Sequence, residues 1–380
     1  MKCLFVGDVF PTTLNVELFK SKDVDALFGD TLSLFADNDL NMVNLECAIT
    51  DAEAPIEKIG PALKAPPQTA EVLKRIGVHV CGLANNHFFD FGKKGAEDTL
   101  AALKKAEILT TGYGKDAEDA KRPLVFEKKG ERICLIAVCE HEYSYALADR
   151  VGCNSFDPFE TPLAIREAKA KCDRVVVLYH GGKELCRYPS PRLRAACRAM
   201  AKSGADLILT QHSHCIGCYE QFEGCHILYG QGNFHFVKGE EASEPTLWRS
   251  ELAVRYDSKT NEIELVPTVE CGVGITLAKG EEKEQLLAEF HARNAQLADG
   301  TWLDGWIAFC ESQRESYERA VVRVGTVGEP KHLEKFAHYL DCEAHLDVWM
   351  QLYQTANHRN EKDESSHASI LFFSGTTIDF

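Results

Sequence analysis

Short apolar runs alternate with helical segments through the first two thirds of the chain, and this alternation constrains the fold more than any other feature. Six runs have the length and composition of buried strands, at residues 2–6, 42–45, 78–84, 134–138, 175–179 and 207–210. Helical periodicity appears between them, at residues 68–76, 95–106, 161–171 and 191–202. We therefore predict an α/β fold with a largely parallel sheet, whose functional edge lies at the carboxyl ends of its strands.

Two further pairs of segments predict antiparallel hairpins, so we expect mixed sheets. Residues 125–128 and 132–137 flank a short turn, and residues 251–256 and 262–269 flank a longer loop.

Beyond about residue 275 the sequence becomes rich in helix formers, and the strand pattern stops. Residues 281–297, 305–323 and 330–355 predict a helical C-terminal lobe. We thus expect two domains, residues 1–275 and 276–380. The polar residues 357–367 predict a loop or tail, and residues 370–373 predict a short strand that docks back.

Composition excludes some classes of partner. The 380 residues carry a formal net charge of −16, which would repel a nucleic-acid backbone. We expect no membrane span, since no run reaches about 18 apolar residues. The first strand begins without a signal-peptide pattern, so we expect a cytoplasmic protein whose 15 cysteines are mostly free thiols. The oligomeric state stays open, a homo-oligomer included.

Carboxylates that can bind a divalent cation stand at the ends of two early strands. Asp8 follows the first apolar run and Gly7, where an Asp also serves as a turn or helix-cap residue. Glu46 ends the second run, where a solvated strand end is the ordinary interpretation. Asn44 alternates with Glu46, so both face the same side of an extended chain.

The segment Asn85-Asn86-His87 follows the third apolar run and combines amides with an imidazole. The amide oxygen of Asn86 can bind a metal, and His87 can act as an acid or a hydrogen-bond donor. Asp90 follows three residues later and can orient His87 as a supporting carboxylate. By itself the segment also fits an Asn-rich turn with a surface histidine.

Two later strands end in histidines. His180 is followed by two glycines, which let the backbone approach a ligand closely, and then by Glu184. His212 and His214 stand two positions apart, so their side chains face the same way. Each histidine alone fits a structural or exposed residue, but a His-x-His pair is a moderately specific metal signal.

Together, five strand ends offer oxygen and imidazole ligands without a thiolate. This set suits Mn, Fe or Zn and predicts two divalent metal ions, which can polarise a phosphoryl oxygen and supply hydroxide at neutral pH. The spacing of Cys215 and Cys218 also fits a zinc or redox pair, but a zinc site would need two more ligands close by.

The order of these motifs resembles that of the CapA proteins, which are associated with poly-γ-glutamate capsule synthesis. The matching motifs are Gly7-Asp8, Asn44-Leu45-Glu46, Ala84-Asn85-Asn86-His87 with Asp90 and Gly92, His180-x-Gly182-x-Glu184, Gly204-Ala205-Asp206, His212-x-His214 and Tyr229-x-x-Gly232-Asn233-Phe234. The resemblance covers roughly residues 1–240. It implies a fold similar to the calcineurin-like metallophosphoesterases, with two packed mixed sheets flanked by helices.

The resemblance also implies a role for each matching position. The ligands of a dinuclear metal site would be Asp8, Glu46, Asn86, His180, His212 and His214. His87 would face the substrate as proton donor or oxyanion stabiliser, with Asp90 behind it, and Glu184 would be a further site residue.

The chain departs from the family pattern around the ligands. Gly181 stands where many relatives have Trp, Thr210 where they have Gly, and Ser213 where they have Pro. Gly230-Gln231 replaces a common Ser-Leu pair. The ligand positions are retained while the pocket walls differ, so the choice of substrate is the open question.

We therefore expect a metal-dependent, phosphoesterase-like hydrolase acting on a small phosphate ester, linked to capsule or other cell-surface polymer metabolism. One alternative is amide-bond chemistry on poly-γ-glutamate, an acidic polymer, as a ligase accessory or a hydrolase. Another is a non-catalytic capsule-assembly or binding protein that docks through its C-terminal helices.

Overall fold

The computed structural model describes residues 1–140, 143–239, 245–327 and 330–358. In these residues the strands are β1 (Lys2–Val9), β2 (Leu40–Leu45), β3 (Ala48–Ile49), β4 (Lys64–Ala65), β5 (Val80–Gly82), β6 (Leu109–Thr111), β7 (Tyr113–Gly114), β8 (Leu124–Lys128), β9 (Glu131–Cys139), β10 (Gly152–Cys153), β11 (Arg174–His180), β12 (Leu207–Gln211), β13 (Cys218–Phe222), β14 (Cys225–Tyr229), β15 (Asn233–His235), β16 (Ser250–Asp257), β17 (Glu262–Cys271) and β18 (Gly274–Leu277). The helices are α1 (Val16–Ser21), α2 (Val24–Phe28), α3 (Gln68–Arg75), α4 (Gly92–Lys105), α5 (Ala117–Ala120), α6 (Glu160–Lys169), α7 (Pro191–Lys202), α8 (Pro245–Trp248), α9 (Gly280–Asp299), α10 (Trp302–Val327), α11 (Pro330–Asp341) and α12 (Glu343–His358), and residues 29–34 form a 3-10 helix.

Two mixed sheets organise the molecule. In the first, the strand order is β18-β17-β16-β1-β2-β5-β6, with β15 also pairing with β1. In the second, the order is β13-β14-β12-β11-β9-β8. In the first sheet, β1, β2, β5 and β6 are parallel, and β16, β17 and β18 add antiparallel strands beside β1. In the second sheet, parallel strands form the middle and an antiparallel hairpin lies at each edge. The predicted class, two packed mixed sheets with flanking helices, is confirmed.

The central strands of the second sheet are buried on both faces. Successive strand residues point to opposite sides, so each strand contributes to two cores. In β9, Leu135 and Ala137 join the core shared with the first sheet. Ile136 and Val138, which alternate with them, join a second core under the helices. The result is a layered arrangement of helices, sheet, sheet and helices.

The C-terminal helices complete the outer layer on the second sheet. Trp306 and Tyr317 of α10 and Val348 of α12 are buried in the same core as Val177 of β11. The predicted helical C-terminal region is thus present, and its apolar faces pack on the second sheet. The domain division at residue 275 stays a prediction, and β18 crosses it.

Several predicted elements begin and end close to the observed ones. Helix α7 begins where Ser190 accepts a hydrogen bond from the Leu193 backbone N–H and Pro191 occupies the first turn. The predicted strand 78–84 is shorter in the structure, because the chain leaves the sheet after Gly82. Predictions for residues 359–367 and 370–373 lie outside the described residues. None of the helices within the described ranges is long and apolar enough to cross a membrane.

Candidate metal centre

Two carboxylates lie side by side at the carboxyl ends of the central parallel strands of the first sheet. Asp8 of β1 is in register with Asn44 of β2, and Glu46 directly follows β2. Both acids are fully buried. Burial raises the pKa of Asp8 to about 6, with the Glu46 charge adding to the effect, and burial raises the pKa of Glu46 to about 7.

The glycine before Asp8 permits a close approach between β1, β15 and β16. A Cβ at Gly7 would lie 2.3 Å from the Gly232 carbonyl oxygen and 2.7 Å from Glu251. The Gly7 N–H instead donates to Glu251 Oε2 at 2.7 Å. Burial raises the pKa of Glu251 well above its usual value, and the charge of Asp8 acts in the same direction. Sequence reasoning missed Glu251, whose signal was an acid at the start of an apolar strand.

A chain of amides fixes the orientation of His180. The His87 N–H donates to Asn85 Oδ1 at 3.1 Å, so the Asn85 amino group points to Asn44 Oδ1 at 3.2 Å. The Asn44 amino group then donates to Asp8 Oδ1 at 2.7 Å and to His180 Nδ1 at 3.2 Å. Because Nδ1 accepts, the proton of the neutral His180 ring lies on Nε2.

That Nε2 atom meets two further predicted ligands. It donates to Asn86 Oδ1 at 2.9 Å and lies 3.3 Å from Glu46 Oε1. Burial lowers the pKa of His180 to about 4, so the ring is neutral at pH 7. The His180 Nε2 proton is therefore given to Asn86, with Glu46 close by, and a cation ligated by this nitrogen would displace that proton.

The two histidines after β12 adopt a strained backbone. His212 has φ of 82° and His214 has φ of 53°, in the left-handed region that costs a non-glycine residue about 1–3 kcal/mol. The His212 N–H donates to Asp8 Oδ2 at 3.2 Å, which ties this turn to the first sheet. The ring centroids of His180 and His212 lie 4.9 Å apart. Such strain is typical of functional sites, where the surroundings hold it in place.

The tautomer of His214 follows from its partner Asn233. The Asn233 amino group donates to the Trp248 carbonyl at 3.1 Å, so Asn233 Oδ1 accepts from His214 Nδ1 at 2.8 Å. The unprotonated Nε2 then faces Glu46 Oε1 at 3.8 Å. The Trp248 ring lies over the imidazole with centroids 4.1 Å apart. Asn233 thus acts as a supporting partner of the kind that orients metal-binding histidines.

Within the described residues, these side chains form two overlapping groups with potential ligand atoms within 4.8 Å of one another: Asp8, Glu46 and His180, and Glu46, His212 and His214. Glu46 belongs to both groups. In the described part of the chain, both Glu46 oxygens and His212 Nδ1 are buried without a hydrogen-bond partner. Buried charged oxygens are normally paired or bound to a metal, so the donor set fits a divalent transition metal such as Mn, Fe or Zn.

His87 lies beside this centre with a carboxylate and an amine behind it. His87 Nδ1 donates to Asp90 Oδ2 at 2.6 Å. The buried amine of Lys58 forms an ion pair with Asp90 and lies 3.4 Å from His87 Nδ1. Burial lowers the pKa of His87 to about 4. The ring is therefore neutral, and donation to a substrate oxygen requires prior protonation, which the charge of a bound anion favours.

Two other predicted positions lie apart from the ligand groups. Glu184 is exposed on the loop after β11. Desolvation opposes its ionisation, but the charges of Lys183 and the nearby histidines lower its pKa to about 2. Asp206 precedes β12, at the opposite end of the sheet, where it forms ion pairs with Lys169 and Arg174. Asp206 is therefore structural.

The departure at Gly181 has a clear structural cause. A Cβ at this position would lie 2.5 Å from the Glu140 carboxyl carbon. Glu140 occupies that space and accepts hydrogen bonds from Tyr179 at 2.8 Å, the Gly182 N–H at 2.9 Å and Arg192 at 2.6 Å. The wall that many relatives would build with Trp is therefore a buried ion-pair network here.

The other departures are also accommodated locally. Thr210 Oγ1 accepts from the Gly230 N–H at 2.7 Å, which ties the carboxyl end of β12 to the segment that follows β14. The thiols of Cys215 and Cys218 are buried, and burial raises their pKa values to about 11 and about 12. Thiols of this kind are poor metal ligands.

The two mixed sheets and the buried donor cluster define an α/β protein with a candidate dinuclear metal centre at the carboxyl ends of its parallel strands. Residues 2–238 match the family described as bacterial capsule synthesis protein PGA_cap. The chain belongs to this family, and the resemblance identified in the motifs is confirmed.

Curated relatives agree with this assignment. The chain is 33% identical to the capsule biosynthesis protein CapA of Bacillus anthracis over 183 residues, which is 47% of this chain and 44% of that protein. It is 30% identical to the PGA biosynthesis protein CapA of Bacillus subtilis (strain 168) over 266 residues, or 68% and 67% of the two chains. The matched region thus spans only about half to two thirds of these relatives.

Solved structures show a weaker likeness. A hypothetical protein from Thermus thermophilus aligns with 73% of this chain and 100% of its own, at 15% identity and a TM-score of 0.43. A 5′-nucleotidase from Candida albicans SC5314 aligns with 70% of this chain and 51% of its own, at 8% identity and a TM-score of 0.41. TM-scores of this size are too low to carry a functional argument.

Proposed function

We propose that the protein is a metal-dependent hydrolase of phosphate esters that serves capsule or cell-surface polymer metabolism. The observation that carries this proposal is the buried Glu46 carboxylate, which belongs to both ligand groups and has no hydrogen-bond partner in the described residues. Glu46 would help to hold a divalent cation together with the other members of either group.

The proposed ligands are Asp8, Glu46, Asn86, His180, His212 and His214. Two divalent ions bound there would polarise a phosphoryl oxygen and lower the pKa of bound water. The chain itself supplies orientation: Asn44 aligns Asp8 and His180, and Asn233 holds His214.

His87 is proposed to move a proton at its Nε2 atom. Asp90 holds Nδ1, and Lys58 neutralises the charge of Asp90, so the ring is fixed with Nε2 directed away from them. The negative charge of a bound phosphate favours protonation of the imidazole at Nε2. The resulting Nε2–H can then protonate or stabilise the leaving oxygen. Asp90 is a positioning residue, and Glu184 is a site residue on the cleft rim.

Metal analysis and turnover test the proposal together. We expect purified protein supplied with Mn²⁺, Fe²⁺ or Zn²⁺ to bind about two ions per chain and to hydrolyse a generic phosphomonoester or diester. His212→Ala should lose both properties, whereas His291→Ala, at an exposed position on α9, should keep them. Protein that binds no transition metal, or stays inactive with every metal supplied, would overturn the proposal.

A second candidate keeps the metals and changes the bond that is cleaved or formed. It rests on the relative named for PGA biosynthesis and assigns amide chemistry on poly-γ-glutamate to the same centre. Release of glutamate from the polymer by wild-type protein, abolished in Asp8→Ala, would favour this candidate over phosphate-ester hydrolysis.

A further inference from the structure

Two cysteines outside the candidate metal centre lie in direct contact with each other. Cys139 ends β9 and Cys153 ends β10, and their Sγ atoms are 3.0 Å apart. Both residues are buried. A covalent bond between two sulfurs measures about 2.05 Å, so these atoms need to approach by only about 1 Å to form one.

Backbone hydrogen bonds hold both cysteines in position. The Cys139 N–H donates to the Asn154 carbonyl at 2.9 Å, and the Cys139 carbonyl accepts from the Phe156 N–H at 2.6 Å. The Cys153 N–H donates to the Ser144 carbonyl at 2.8 Å. Because both main chains are fixed at these positions, the contact between the two sulfurs follows from the fold itself.

The loop between the two cysteines packs on the segments that carry His87 and Lys58. Ser144 Oγ accepts from the N–H of Phe89, two positions after His87, at 3.2 Å. The Tyr143 ring centroid lies 5.8 Å from Lys58 Nζ. A covalent link across the base of this loop would therefore stabilise contacts with the supports of the proposed proton donor.

The same loop gives a small oxidant a route to the buried sulfurs. Its described part is residues 143–151, of which residues 147–149 are exposed. The base of the loop is joined to β10 by the hydrogen bond between Ser144 and Cys153. Segments with an exposed tip open locally more often than the whole protein unfolds, and such an opening would expose Cys153.

We propose that Cys139 and Cys153 form a reversible disulfide, and that this cross-link holds the loop of residues 143–151 against the segments that carry Lys58 and His87. The pair is thus a modification site beside the candidate metal centre. This inference does not depend on the proposed hydrolase activity, because it rests on the contact between the sulfurs and on the loop that they enclose.

Formation of the bond needs a two-electron oxidant, and we assign this part to a hydroperoxide. One thiolate attacks hydrogen peroxide, the O–O bond breaks, hydroxide leaves and a sulfenic acid forms. The second sulfur then attacks the sulfenic sulfur, the S–O bond breaks, and the oxygen leaves as water with the proton of the second thiol. In sum, two thiols lose two electrons and two protons, and one peroxide becomes two waters. A dithiol reductant reverses the bond by thiol–disulfide exchange.

Peptide mass spectrometry locates the cross-link. The full chain is treated with graded hydrogen peroxide, its remaining thiols are alkylated under denaturing conditions, and it is digested with a protease. We expect a peptide pair joined through Cys139 and Cys153, which dithiothreitol separates. Cys153→Ala should abolish this pair, whereas Cys310→Ala, at a buried thiol of α10, should keep it. The exposed thiol of Cys271 is the internal measure of oxidant dose.

Amide hydrogen exchange tests the effect of the cross-link on the loop. In oxidised wild-type protein, the amides of residues 143–151 should exchange at least about tenfold more slowly than in reduced protein, since a link across its base opposes opening. Cys139→Ala and Cys153→Ala, given the same oxidant, should show no such slowing. Reduced Cys139 and Cys153 at a dose that fully oxidises Cys271 would overturn the site. A cross-link that leaves the exchange rates unchanged would overturn its effect on the loop.

Discussion

Two buried clusters of charge lie at the same end of the molecule, and they differ in how their polar atoms are satisfied. In the metal centre, Glu46 has no hydrogen-bond partner in the described residues for either oxygen. In the neighbouring network, Glu140 receives hydrogen bonds from Tyr179, Gly182 and Arg192. Both carboxylates are buried almost completely, so burial alone does not separate them.

The two acids respond to that burial in opposite directions. Burial raises the pKa of Glu46 to about 7. Burial also favours a raised pKa for Glu140, but Arg192 and the other donors outweigh it and hold the pKa below its usual value. A satisfied buried charge therefore holds the helical lobe on the sheet, whereas an unsatisfied one indicates a place for a ligand.

The largest expected effect comes from breaking the satisfied cluster. Arg192→Met leaves Glu140 and Asp347 buried without their shared cation, and should lower the free energy of unfolding by about 3–5 kcal/mol. Denaturant unfolding measures this loss. The control Arg319→Met removes an exposed pair with Glu315 and should change stability by less than about 1 kcal/mol. Equal effects would contradict the distinction between the two kinds of charge.

A bound metal ion should give the Glu46 oxygens of the candidate metal centre the partner that they lack in the described residues. A divalent ion that binds only the folded protein, at about 100 times its Kd, should raise the free energy of unfolding by about 2.7 kcal/mol. Thermal unfolding with added Mn²⁺ or Zn²⁺, reversed by a chelator, tests this. An unfolding temperature that no transition metal shifts would contradict the ligand interpretation.

Removing the charge of Glu46 should stabilise the metal-free protein, whereas Arg192→Met should destabilise it. Glu46→Gln should stabilise the metal-free protein by roughly 1–3 kcal/mol at pH 8, because a buried ionised carboxylate without partners becomes a neutral amide. The same variant should lose the stabilisation by metal. A metal-free variant less stable than wild-type protein would show that Glu46 has partners in solution.

The smallest expected effect concerns a supporting residue. Asn233→Ala removes the acceptor that holds His214 Nδ1, and should weaken metal binding about 10–100-fold. Metal titration monitored by calorimetry gives the affinity. Asn261→Ala, at a hydrogen-bonded asparagine on the β16–β17 turn, is the matched control and should leave the affinity unchanged.

The architecture and most of the candidate ligands could be predicted because parallel strands bring their carboxyl ends to one edge. Asp8, Glu46, His180, His212 and His214 each follow a recognisable apolar run, so strand position alone predicts that they meet. The structure brings these five side chains together, and Asn86 joins them through His180.

The remaining parts could not be predicted because they depend on contacts between distant segments. Glu251 meets Gly7 across 244 positions, and Arg192 meets Glu140 across 52. Lys58 lies in an irregular segment with no periodic pattern before it reaches Asp90. The strained backbone of His212 and His214 is likewise set by tertiary contacts such as the bond to Asp8.

We propose that two metal ions bind at the candidate centre, one held by Asp8, Glu46 and His180 and the other by Glu46, His212 and His214. Crystals soaked in Mn²⁺ and measured for anomalous scattering test it most directly. We predict two anomalous peaks per chain, both at coordinating distance from the Glu46 carboxylate, one on the His180 side and one on the side of His212 and His214. Peaks confined to exposed carboxylates, or an empty cleft at saturating Mn²⁺, would contradict the claim.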